Sequence, residues 1–165
     1  HLPMKTQIFV LFFILFGSYY RTSTDSPKYI VRLNTSEGKR IMKQCSRGTP
    51  KKVKSFFYVQ DSTLNIIKEE FDKIKEVKSS YNSYINDLDY YAYQVIGLVI
   101  KKDSFIYINA FPIRDKNPDD VKKYWRKDAV VICDGGHNYW GILFNIKKKT
   151  FSDLNRNGPG PIILE

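Results

Sequence analysis

The sequence predicts an α+β domain: one long amphipathic helix packed on an antiparallel sheet of about five strands, with a short second helix. Three observations predict it. Apolar residues from Leu64 to Tyr81 recur at steps of three and four, the period changes to alternation after Asp89, and turn-forming residues punctuate the remaining chain at strand-length intervals.

The first element in the chain is a targeting segment rather than part of the fold. After Met4 and Lys5 come nine consecutive apolar residues, Ile8 to Phe16, and then the small pair Gly17-Ser18. A positive residue, a short apolar run and a small-residue site form the pattern of an export signal. The run falls short of the roughly 20 apolar residues that cross a bilayer. Residues 1–17 are therefore read as a signal peptide, with 1–3 an upstream extension, 18–27 as a polar tether, and 28–165 as a single α+β domain.

Within that domain Tyr29 to Leu33 is a candidate first strand, and the basic segment 39–54, broken by Gly48 and Pro50, is read as mostly irregular. Asp61 or Ser62 caps a helix over 62–81, because Leu64, Ile67, Phe71, Ile74, Val77 and Tyr81 fall on one face. Residues 90–111 read as a hairpin turning at Lys101-Lys102-Asp103-Ser104. Asn117-Pro118-Asp119-Asp120 carries the signature of a helix start: a cap, a proline at the first helical position and acids in the first turn. Ala129 to Cys133, Tyr139 to Ile146 and Thr150 to Leu154 complete the strands, and Gly158-Pro159-Gly160-Pro161 ends regular structure.

Composition bounds the function. The chain has 165 residues, 27 Lys+Arg against 17 Asp+Glu, a formal net charge of +10, and 42% hydrophobic residues. That length and apolar content support a cored domain and exclude disordered, collagen-like, disulfide-framework and polytopic membrane classes. The positive excess is local: Lys39, Arg40, Lys43, Arg47, Lys51, Lys52 and Lys54 contain no acid among them. A basic segment of this kind adheres to anionic surfaces. Lysine predominates over the arginine that bidentate phosphate recognition favours, which argues against nucleic acid as a partner.

The chemistry-bearing stretch is Cys133-Asp134-Gly135-Gly136-His137-Asn138-Tyr139-Trp140-Gly141. It sets a thiol, a carboxylate and an imidazole beside two glycine amides and two aromatic rings, so Asp134, Gly135, Gly136, His137, Tyr139 and Trp140 are the candidate binding residues. A thiol- or carboxylate-dependent hydrolase using Cys133 or Asp134 is the alternative. The competing role for Cys133 is a disulfide with Cys45, which suits an exported chain. Phosphate-binding, dinucleotide, serine-hydrolase and zincin motifs are absent, and no cofactor or metal is expected, since zinc asks for three or four His, Cys or carboxylate ligands.

Gln44-Cys45-Ser46-Arg47-Gly48-Thr49-Pro50, Tyr107-Ile108-Asn109-Ala110-Phe111, Cys133-Asp134-Gly135-Gly136 with Tyr139-Trp140-Gly141, and Phe151 to Gly158 resemble a group of small, uncharacterised exported bacterial proteins. The resemblance implies export and transfers no catalytic residue. The order of elements also resembles cystatin-like and nuclear-transport-factor-like folds. Gln94-Val95-Ile96-Gly97 is similar to a cystatin inhibitory loop, but it is one residue short and lies in a predicted strand, so inhibition is not carried over.

Overall fold

The computed structural model describes residues 26–113 and 116–158. The predicted signal and residues 18–25 of the tether lie outside the described residues, as does the tail after Gly158. Strands β1 (Ile30–Arg32), β2 (Val53–Phe57), β3 (Tyr91–Ile100), β4 (Asp103–Pro112), β5 (Trp140–Asn145) and β6 (Thr150–Arg156) form a 6-stranded sheet. β3 to β6 run as an antiparallel meander. On its other edge β3 takes β1 in parallel along Tyr93 to Val95, and β2 antiparallel along Gly97 to Ile100.

The class is α+β, but the predicted arrangement of a long helix on a five-stranded antiparallel sheet is not the one found. The sheet is mixed because β3, ten residues long, is edged by two strands of three and five residues that share its length end to end. Strands so short leave little periodicity to read, and β2 starts within the last two residues of the basic segment expected to be irregular. That segment also begins at the short helix α1 (Gly38–Ile41).

The helix over 62–81 is also shorter than its apolar stripe. Helix α2 spans Asp61–Glu70, tightens into a 3-10 helix over Phe71–Glu76, and ends at Val77, whose backbone is extended. The stripe carries the reason: Leu64, Ile67 and Phe71 follow the α period, whereas Phe71, Ile74 and Val77 repeat every third residue, the period of a 3-10 helix. Beyond it the Ser79 hydroxyl accepts from the backbone N–H groups of Tyr81 and Ser83, both at 3.3 Å, and Asn82 takes φ 59°. Local serine bonds of this kind replace helical ones.

Ile67, Phe71 and Ile74 are fully buried against the sheet face made by Tyr93, Val95, Ile106, Ile108, Trp140, Ile142 and Phe144. The opposite face is covered too, by Leu33, Ile41 and Ala129 over Ile96, Leu98 and Leu143, and by Trp125 and Val130 over Ala92 and Phe111. Helix α3 (Pro118–Val121) opens the second covering segment, with the Asn117 side chain accepting from the Asp119 N–H as its sequence predicts.

The helix-side core has a polar component at its end. The Tyr93 hydroxyl donates to the Leu88 carbonyl at 2.5 Å, and Tyr91 and Tyr93 meet Trp140 edge-on at 5.3 and 5.8 Å between centroids. Burial pushes the Tyr93 phenol well above the ordinary tyrosine value and raises that of Tyr91. Folded values above unfolded ones mean that this stabilisation is complete below about pH 10 and is lost as pH rises through the folded values. Tyrosinate absorbance at 295 nm is therefore expected to rise in two stages, the later one coinciding with alkaline unfolding. A single stage near pH 10 with the fold intact would contradict the burial of these rings.

Candidate functional site

On the sheet face away from α2, the strand register aligns Gln94, Asn109, Gly141 and Asn155 in one row across β3 to β6. Gln94 is fully buried and uses all of its hydrogen-bonding capacity. Its Nε2 donates to the carbonyls of Trp125 and Asp128 (2.5 and 2.8 Å), and its Oε1 accepts from Asn109 Nδ2 and the Val130 N–H (3.1 and 2.8 Å). Asn109 Nδ2 also reaches the Val130 carbonyl at 3.0 Å, and Gln44 Nε2 shares that carbonyl at 3.1 Å. Asn157 Nδ2 donates to the Ile132 carbonyl at 2.9 Å, and the Ala129 N–H meets the Glu37 carboxylate at 2.8 Å.

The predicted strand Ala129 to Cys133 is therefore not a strand. Side chains satisfy its backbone where a ladder would. The segment lies across the face of the sheet instead of along its edge, as the packing of Ala129 and Val130 on the far face requires.

Arg47 closes the same network. Its guanidinium donates to the Asn109 Oδ1, to Asn157 Oδ1 at 2.6 Å and to the Tyr107 hydroxyl at 3.3 Å. Gly141 makes room for that hydroxyl, since a Cβ there would stand 2.2 Å from it. Arg47 therefore turns inward, away from the basic face it belongs to in sequence, where Lys39, Arg40, Lys43, Lys51, Lys52 and Lys54 are exposed.

Cys45 and Cys133 stand at disulfide distance, with Cα atoms 4.9 Å apart, and both are at the surface. The pair ties the Gln44 to Arg47 loop to the start of the predicted binding loop. Beyond Cys133 the candidate residues separate into three environments. Asp134 and His137 are exposed, Gly135 packs under the Tyr139 ring, and Trp140 is wholly buried in the helix-side core. Gly136 turns the loop with φ 61°, a conformation that glycine adopts without strain. His137 lies against the Tyr81 ring at 4.6 Å between centroids, and its carbonyl accepts from Arg156 Nε at 2.8 Å.

A concavity adjoins this rim, an open cleft of about 540 Å3 between the 45–48 loop, Ser80-Tyr81 and the end of β6 at Asn155-Arg156. Sequence reasoning missed its residues. Arg156 looks like one more surface cation, and Arg47 is one of seven in a basic run that also holds Arg40, so nothing local marks either. Among the described residues no group of three His, Cys, Asp or Glu is placed to hold a metal ion, and no helix is long and apolar enough to cross a membrane. No family model, no curated protein and no solved structure matches this chain.

Proposed function

We propose that the protein is an exported, non-catalytic binding protein or envelope-structural protein that meets its ligand at the rim formed by Asp134 to Tyr139. The observation that carries this reading is the mounting of the loop: it is exposed at Asp134 and His137, yet fixed at one end by Cys133 beside Cys45 and at the other by Trp140 in the core. Loops held on rigid scaffolds are the usual bearers of recognition, because little ordering is left to be done on binding. The cysteine pair and the export signal read in the sequence support a place outside the cytosol. The hydrolase alternative is disfavoured at Cys133, whose sulfur faces Cys45 and so lacks the free thiolate that a nucleophile needs.

The test is a small-molecule screen on residues 18–165, read by thermal shift and repeated on His137→Ala and Asp134→Asn. Both side chains are exposed, so the variants are expected to unfold within about 0.5 kcal/mol of the parent. A ligand that stabilises the parent should lose affinity for at least one of them. A ligand held equally tightly by all three proteins would remove the rim from consideration.

A further inference from the structure

The cleft beside the rim has a charge imbalance that folding does not relieve. Arg47 and Arg156 both line it, together with Ser46, Ser80, Tyr81 and Asn155, and no carboxylate is among the lining residues. Among the described residues the two guanidinium groups meet neutral partners: Tyr107, Asn109 and Asn157 for Arg47, and the His137 carbonyl, the Ser83 hydroxyl and the Tyr91 phenol for Arg156. Neither appears in an ion pair among the described residues, although Arg32, Arg40 and Arg126 each meet a carboxylate. Both are partly shielded from solvent, where an unpaired cation attracts a counter-charge more strongly than it does at an open surface.

We infer that this cleft binds the oxyanion group of a small ligand: a phosphate, sulfate or carboxylate. Guanidinium groups match such oxygens in a planar, bidentate fashion that lysine does not. Each of these two is already held in place by its neutral partners, so its orientation is settled before a ligand arrives. The hydroxyls of Ser46 and Ser80 supply further donors, and the cleft has volume for more than a bare ion, with the half-exposed ring of Tyr81 at its wall. The lining residues lie outside the 134–139 loop, though Arg156 and Tyr81 both touch His137, so the inference does not rest on the rim itself binding a ligand.

The experiment is a titration of the 15N-labelled protein with sodium phosphate, sodium sulfate, sodium acetate and glucose 6-phosphate, against sodium chloride at matched ionic strength. Saturable amide shifts at Ser46, Ser80 and Arg156 are expected with at least one oxyanion and not with chloride. Glucose 6-phosphate binding more tightly than phosphate would identify an organic phosphate as the better ligand; equal binding would identify the oxyanion alone as what is recognised. Arg156→Gln is expected to weaken the interaction at least tenfold, while Lys147→Gln, on the distant turn, leaves it unchanged. Should Arg156→Gln fail to fold, Ser80→Asp takes its place, since a carboxylate set opposite the arginines should abolish the shifts. Shifts that follow ionic strength alone, or an affinity unchanged in Arg156→Gln or Ser80→Asp, would overturn the inference. Loss of oxyanion binding in His137→Ala, with Arg156→Gln unaffected, would assign the anion to the rim and overturn it equally.

Discussion

Gln94→Leu is expected to destabilise the fold by roughly 4 kcal/mol or more, a large share of the ordinary stability of a domain this size. Leucine fills much the same space, so packing is not the cause. The amide it replaces serves the carbonyls of Trp125 and Asp128, the Val130 N–H and the Asn109 side chain at once, in a position with no exposure to water. Each group orphaned in the interior costs about 1–3 kcal/mol, and only Asn109 retains a second acceptor, the Val130 carbonyl. Gln94→Glu separates this account from a simple loss of shape. A buried glutamate has its pKa raised by desolvation, so the variant's stability should be highest below the unfolded value of about 4.3 and fall as pH rises, as the carboxyl loses its one donor. Urea unfolding of both variants at pH 4 and pH 7 gives the comparison. A Leu variant within 1 kcal/mol of the parent would show that the 125–130 segment is held by its apolar contacts alone.

The second large effect belongs to the cysteines. The pair closes a loop with a sequence separation of 88, for which chain entropy gives a stabilisation of about 4–5 kcal/mol when the bridge is formed. The double variant Cys45→Ser/Cys133→Ser is expected to unfold at correspondingly lower denaturant, and reduction of the parent should bring it to the same midpoint. Amide exchange should accelerate first at Ala129 to Ile132, because that segment is held by side chains drawn from both sides of the bridge. A parent whose unfolding midpoint ignores dithiothreitol would refute a stabilising bridge.

How much of this could be read from the chain divides along a physical line. The β3–β4 hairpin and the Asn117 cap depend on residues close in sequence, and the structure places Asn117 against Asp119 and pairs Ile100 with Asp103 as local chemistry directs. The stripe from Leu64 to Val77 was legible as a buried face, but its end was not, because the serine bonds at 79–83 compete with a helix that hydrophobic periodicity alone would continue. The loop at Asp134 to Asn138 announced itself by its glycines. Arg47, Gln94, Asn109 and Asn157 did not, although all four meet in space. In a strand of otherwise apolar residues, a lone amide such as Gln94 reads as a solvent-facing position. Only the second covering of the sheet, which no strand pattern encodes, reveals that it faces protein.

The place of β3 has a consequence for the chain as it is made. Among the described residues β1 and β2 pair with nothing but β3, so Ile30 has no partner until Tyr93 exists, nor Phe57 until Gly97 does. A chain emerging from its N-terminus therefore presents its first two strands as open backbone while more than half of its length is still to come. The antiparallel hairpin that follows is local and quick to close, and it offers an edge on which both waiting strands can assemble. Docking of β1 and β2 is in this sense delayed until the chain has been made as far as Ile100, and until then both strands are exposed to pairing with neighbours.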